Sequence, residues 1–424
     1  MADKRIYLCL AHMSEEGFEQ KYIKEAFDTN WVVPLGPNVN GFEKDLEDFV
    51  NLNDNANLNK RVVALSSGTA AVHLALLNCG VGPGDEVLVQ SFTFCASSHP
   101  ISYLGAIPVF IDSEKETWNM DPELLEKAII DRKEKTGKKP KAIVPVALYG
   151  MPYKIDMIME IANKYEIPVV EDAAEGFGSR FNDQVLGTFG KYGVLSFNGN
   201  KMITTSGGGA LITENEDEWR EIMMYATQYR ESYPYYQHEK IGYNYRMSNI
   251  CAGVGRGQMT VVNDHITHHK HVQKLYEELL KDVKGITVHS QPATGEYDSN
   301  YWLCTITLDP SVRIKGQENA YKLIVTGAVG GAAGVIHAAS SATTDCQPND
   351  NVEALRVALD KADIEARPVW KPMHKQPVYA SAPAYVNGVS EEIFKIGMCL
   401  PAGPYVTDEN VKYIVEIIKE SIVR

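Results

Sequence analysis

The sequence predicts an α/β protein, with a large domain built on a mostly parallel sheet and covering helices, followed by a smaller α+β domain. Three observations carry this. The 424 residues exceed what one hydrophobic core usually supports. From residue 61 onward, short β-branched runs alternate with helical patterns. Those runs are continuously apolar rather than alternating, as strands buried on both faces are.

In order, the strand runs are RVVALSS, EVLVQSF, AIPVFID, KAIVPVAL, IPVVEDA, YGVLSF and GALIT, all within roughly residues 40 to 260. Beyond them QKLYEELLKDV reads as an amphipathic helix, ITVHS and YWLCTITL as strands, and NVEALRVALDKADI and DENVKYIVEIIKESI as helices. This places the large domain, with its N-terminal segment, at residues 1–262 and the smaller one at 263–424. The stretch 324–347, IVTGAVGGAAGVIHAASSATTDCQ, lacks periodicity and is expected to be an insertion without catalytic role. Its glycines do not form a dinucleotide-binding fingerprint after a strand.

Hydrophobic residues make up 44% and charged residues 23%, the composition of a folded soluble protein. With 41 Lys plus Arg against 55 Asp plus Glu, the formal charge is -14, and no basic stripe offers a surface for nucleic acid. An acidic protein that binds anions must use a local cluster of donors. The seven cysteines are scattered and form no CxxC pair, which fits reduced thiols in a cytoplasm. No run approaches the ~20 apolar residues of a membrane span, and the N-terminus lacks an export signal.

Three motifs carry chemistry. Ser66-Ser67-Gly68-Thr69-Ala70-Ala71 follows a buried strand and opens a helical run, so its free amides suit a phosphate, although Ser and Thr there also serve as ordinary helix caps. Asp172, in Val169-Val170-Glu171-Asp172-Ala173-Ala174-Glu175, ends an apolar strand at the edge where open sheets bind ligands. It could pair with a protonated pyridine nitrogen or simply cap a turn. Lys201, in Ser196-Phe197-Asn198-Gly199-Asn200-Lys201, sits between a strand and the cluster Gly207-Gly208-Gly209, where dehydration favours the free amine that imine chemistry needs.

Phosphate cradle, strand-end acid and lysine, in that order on one parallel sheet, resemble the fold-type-I pyridoxal-phosphate enzymes. The wording of PLGPNVNGFEKDLEDF, SSGTAAVHLAL, GAIPVFIDSEKETWNMD, LYGMP, VVEDAAEGFGS, SFNGNKMITTSGGG, GYNYRMSN and ARPVWKPMHKQPVY resembles the DegT/DnrJ/EryC1/StrS family of nucleotide-sugar aminotransferases. The resemblance covers nearly the whole chain apart from 324–347. It implies that Lys201 is the Schiff-base lysine and general acid/base, and that Asp172 partners the pyridinium nitrogen. Gly68, Thr69 and Ser196 would hold the phosphate of pyridoxal 5'-phosphate, Phe94 would stack on its ring, and Glu175 would lie near its phenolic oxygen. Asn244 would reach the phosphate of the neighbouring subunit, implying a homodimer with shared sites; Arg246, in the same motif, is the other candidate for that contact.

The implied reaction passes an amino group from a donor, usually glutamate in this family, through the cofactor to a nucleotide-linked keto sugar. The motifs ETWNMD and ARPVWKPMH most resemble enzymes that aminate C4 of UDP-linked 4-keto-6-deoxy sugars bearing an N-acetyl group. Trp370, Lys371 and His374 would then contact that anionic substrate, or else serve as core and solvated residues. A 3-keto sugar aminotransferase and a non-catalytic cofactor-binding regulator are the alternatives. A sugar dehydratase of the same fold would carry His where this chain has Lys201. His265 and His269, four apart, are read as a solvated helix face rather than a metal site, and Gly253, Gly255 and Gly257 as a close helix-packing surface.

Overall fold

The computed structural model of the chain describes residues 5–52, 58–318, 320 and 346–423. The insertion reading at 324–347 lies outside these residues, Cys346 and Gln347 excepted. All seven strand runs of the first half form strands. Arg61–Leu65, Gly209–Thr213, Tyr192–Ser196 and Val170–Asp172 lie side by side. Parallel bridges Ile143↔Val169 and Val146↔Asp172 continue this sheet into Ala142–Val144. Glu86–Gln90, Ile107–Ile111 and the short Ala384–Tyr385 follow.

Gly209–Thr213 runs antiparallel to both its neighbours. The remaining pairings in this sheet are parallel. The strands read as continuous apolar runs because each contributes to two cores. Val62, Ala64, Leu88, Val109 and Ile111 pack on one face, while Val63, Leu65, Val87, Val89 and Phe110 pack on the other. That is the two-residue period of a strand covered by helices on both sides.

On one flank the helix Asn249–Met259 packs on Phe18–Asp28 and Pro37–Val50. The three glycines allow this approach. A Cβ at Gly255 would lie 2.7 Å from the Phe42 ring, and one at Gly257 would lie 2.5 Å from the Glu19 amide nitrogen.

The second sheet is antiparallel, ordered Ile286–Val288, Cys304–Leu308, Gly397–Leu400 and Arg367–Pro368. Val272, Tyr276, Leu355, Leu359, Ile414 and Ile418 bury one face of it under the helices Val262–Leu280, Asp350–Lys361 and Asp408–Ser421. The helix Val262–Leu280 spans both regions, since its Val262 and Ile266 belong to the first core.

That helix also corrects a sequence expectation. His265 and His269 face protein, not solvent, at 6% and 0% exposure. Each ring Nδ1 lies 3.1 Å from a backbone carbonyl, of Met202 and Tyr301 respectively. Burial holds both imidazoles neutral, His269 down to about 3. Among the described residues no helix is long and apolar enough to cross a membrane.

Candidate active site

Strands Arg61–Leu65, Glu86–Gln90, Val170–Asp172 and Tyr192–Ser196 point the same way, so the segments that follow them gather at one sheet edge. Ser66–Thr69, Phe94, Asp172 and Ser196 all sit there, where open parallel sheets present ligand sites.

Lys201 lies in the loop between Ser196 and Gly209. That loop is closed by Phe197 N to Gly208 O at 2.9 Å and by Thr205 N to Phe197 O at 3.0 Å. The Lys201 amide donates to Asn198 O at 2.9 Å. The side chain is 13% exposed, with Nζ 3.5 Å from Glu175 Oε1. On another side Nζ sits 4.0 Å from the centroid of the Trp302 ring. Nζ thus meets a carboxyl group and an aromatic face.

Asp172 is 5% exposed. Its Oδ2 accepts from Ser97 Oγ at 2.6 Å, and its Oδ1 accepts from the Ala174 amide at 3.1 Å. Thr93 Oγ1 lies 2.8 Å from Ser97 Oγ and completes a buried hydroxyl relay. Burial pushes the Asp172 carboxyl up, opposed by Ser97, the Ala174 amide and the charge of Lys201. Burial raises Glu175 too, opposed by Lys201 and by the Tyr149 amide, which donates to Oε2 at 2.7 Å. One lysine charge therefore acts on both carboxyls.

The phosphate-cradle motif opens the helix Gly68–Asn78. Ser67 is its cap, accepting from Ala70 N at 3.0 Å, which is the ordinary role for that serine. Gly68 and Thr69 occupy the first turn, whose amides have no intrahelical acceptor. A Cβ on Gly68 would lie 3.1 Å from Ser196 Cβ, so the helix opening and the Ser196 hydroxyl share one small space. Gly209 makes this possible, since a Cβ there would stand 2.4 Å from Gly68 N. Amides and hydroxyl together fit a phosphate, the strand-end acid fits a pyridine nitrogen, and the lysine fits an aldehyde, so the residues suit pyridoxal phosphate.

Aromatic rings wall the site. Phe94 is 48% exposed, a high value for a phenylalanine. Its centroid lies 5.3 Å from that of Trp370. Trp370 stacks at 6.2 Å on Tyr149, and Tyr149 at 6.5 Å on Trp302. The Trp370 amide donates to the Tyr149 hydroxyl at 2.7 Å.

The other sequence-picked residues divide. Lys371 is half-buried, next to Trp370. Both ring nitrogens of His374 already have protein partners: Nδ1 lies 2.6 Å from Ser91 Oγ and Nε2 lies 3.2 Å from Glu391 Oε1. Asn244 is exposed. Arg246, the alternative for that contact, is buried against Glu43 and donates to Ala64 O at 3.0 Å. Its charge is already matched.

Ser97, Tyr149, Asn300 and Trp302 escaped the sequence reading. Tyr149 stood in the LYGMP motif and Ser97 three residues after Phe94, so spacing could have suggested both. Trp302 was hidden in the run YWLCTITL, read as a strand. The strand begins only at Cys304, because Tyr301 takes a left-handed φ of 48° and turns the chain.

A sequence profile of the DegT/DnrJ/EryC1/StrS aminotransferase family matches residues 13–327 and 317–419. The chain is 41% identical to EpsN of Bacillus subtilis (strain 168), over 98% of this chain and 95% of that protein. It is 31% identical to GDP-perosamine synthase of Escherichia coli O157:H7, over 98% of each. A crystal structure of a DegT DnrJ EryC1 StrS aminotransferase from Brucella abortus matches with a TM-score of 0.79 at 26% identity, over 96% of this chain and 95% of that one. The architecture is the fold-type-I one that the order of motifs implied. The chain belongs to the DegT/DnrJ/EryC1/StrS aminotransferase family.

Proposed function

We propose that this enzyme uses pyridoxal phosphate to transfer an amino group to a nucleotide-linked keto sugar, with Lys201 as the covalent anchor and proton carrier. The observation that carries this reading is the meeting of Lys201 Nζ with Glu175, with the lysine charge also acting on Asp172, the acid that ends a strand of the sheet to which Ser196 of the Gly68–Ser196 cradle belongs. When bound, the cofactor supplies an electron sink for the donor carbon.

The protein's own groups do the rest. Asp172, buried and fixed by Ser97 and Ala174, would hold a proton at the ring nitrogen. Gly68, Thr69 and Ser196 bind the phosphate. Phe94 would stack on the cofactor ring. Glu175, 3.5 Å from the lysine Nζ, would lie near the phenolic oxygen. Lys201, once free, would carry the proton that leaves the donor's α-carbon. Asn244, exposed on its segment, reaches the phosphate of the neighbouring subunit in a cytoplasmic homodimer.

The acceptor in this reading is a UDP-linked 4-keto-6-deoxy sugar with an N-acetyl group, and the donor is L-glutamate. Trp370 offers a stacking wall and Lys371 a positive charge for the anionic substrate. His374, tied to Ser91 and Glu391, orients this segment rather than the sugar. The relationship to GDP-perosamine synthase supports a nucleotide-linked sugar as substrate. Incubation with a panel of nucleotide-linked 3-keto and 4-keto sugars plus glutamate, read by mass spectrometry, tests it. Amination at C4 is expected. Faster amination at C3 overturns the regiochemistry, and no amination of any sugar overturns the function.

A further inference from the structure

We propose that Trp302 is a further catalytic residue: with Glu175 it forms a two-sided seat that receives Lys201 Nζ as the ammonium formed when the freed amine takes up a proton. This rests on the assignment of Lys201 as the cofactor lysine.

The seat is built rather than incidental. Trp302 is 2% exposed, and its ring centroid stands 4.0 Å from Nζ. Its Nε1 donates to the carbonyl of Asn200, the residue before the lysine, at 2.6 Å. Its amide donates to Asn300 Oδ1 at 2.8 Å. The ring is stacked against Tyr149 on a 19° interplanar angle, so it cannot turn its edge to the lysine without losing that stack and the bond to Asn200.

The two walls share a tie. Asn300, fully buried, donates through Nδ2 to Glu175 O and to Phe177 O, each at 2.9 Å, while its Oδ1 holds the Trp302 amide. One side chain therefore sets the separation of carboxylate and ring. From behind, His269 meets Tyr301 O and His265 meets Met202 O, bracing the residue before Trp302 and the residue after Lys201.

A carboxylate and an aromatic face both attract an ammonium more than a neutral amine. The ammonium that forms when Lys201 takes the proton of the donor's α-carbon is therefore stabilised in the seat, and the lysine returns to one position after each transfer. The seat also slows the lysine's attack on free pyridoxal phosphate, which requires the neutral amine. A merely structural tryptophan would not link these effects with opposite signs.

The test uses full-length Trp302→Leu and Trp302→Met, with Trp302→Phe as the conservative variant. Two readouts are taken: turnover, and the rate at which cofactor-free protein captures pyridoxal phosphate covalently, followed by absorbance and fixed by borohydride for mass analysis. In the Leu and Met variants, kcat should fall on the order of 10-fold with KM for donor and acceptor little changed. Capture should become several-fold faster, on the order of the same factor. Trp302→Phe, which keeps a ring face, should stay near wild type in both. A parallel fall in turnover and capture, or equal behaviour of Leu, Met and Phe variants, overturns the proposal. Wild-type protein that captures no cofactor on Lys201 would instead overturn the assignment on which it rests.

Discussion

Replacing Asn300 by Ala should unfold more of this protein's stability than any surface change, because three buried backbone groups depend on one amide. Its Nδ2 serves Glu175 O and Phe177 O at 2.9 Å each, and its Oδ1 serves the Trp302 amide at 2.8 Å. The residue is 0% exposed, so water does not replace these bonds readily. An orphaned buried group costs about 1–3 kcal/mol. The three share one neighbourhood and are not additive, which sets the expected loss at about 3–5 kcal/mol. Asn300→Asp should do no better, since it keeps the acceptor for Trp302 but turns an oxygen toward two carbonyls. Urea unfolding of cofactor-free protein, at fixed protein concentration and followed by tryptophan fluorescence and circular dichroism, measures the change. A loss below about 1 kcal/mol for Asn300→Ala would refute the view that this side chain ties the site together.

Asp172→Asn should leave the fold intact but cost about 1.5–3 kcal/mol of charge-assisted interaction with the ring nitrogen, or ~10- to 150-fold in kcat; near-normal turnover means that another carboxylate does the work. His269 gives the stability an acid limb. Its folded-state pKa is pushed down from 6.5 to about 3 by burial, so its contribution is complete above the unfolded value and is lost as pH falls from 6.5 toward about 3. His269→Asn should flatten the plot of stability against pH over that window by about 1.4 kcal/mol per pH unit, the slope for one proton. Denaturant midpoints measured from pH 4 to 7 report it, and an unchanged slope contradicts the buried neutral imidazole.

Much of the fold was legible because continuous apolar runs such as RVVAL and EVLVQ have few alternatives to a strand buried on both faces. Strand direction was not: nothing in GALIT distinguishes the reversed strand Gly209–Thr213 from its parallel neighbours. Nor does local sequence show that Ala384–Tyr385 returns to extend the first sheet beside Ile107–Ile111. In the site, Asp172 and Lys201 could be picked out because position at a strand end or in a glycine-rich loop is a local property. What they touch is not local. Ser97 reaches Asp172 across 75 residues and Trp302 approaches Lys201 from the far half of the chain. The burial of His265 and His269 likewise arises from what packs on their helix, here Met202 and Tyr301, which period alone does not name. His374 shows the converse, a residue recognisable by motif whose two nitrogens are already committed to Ser91 and Glu391.

The central claim is that Lys201 carries the cofactor. Loading the protein with pyridoxal phosphate, reducing it with borohydride and mapping the peptides tests this most directly. The phosphopyridoxyl label is expected on Lys201, and a Lys201→Ala protein that keeps its fold should take none. Label on any other lysine, or stable label in Lys201→Ala at the wild-type level, would contradict the account.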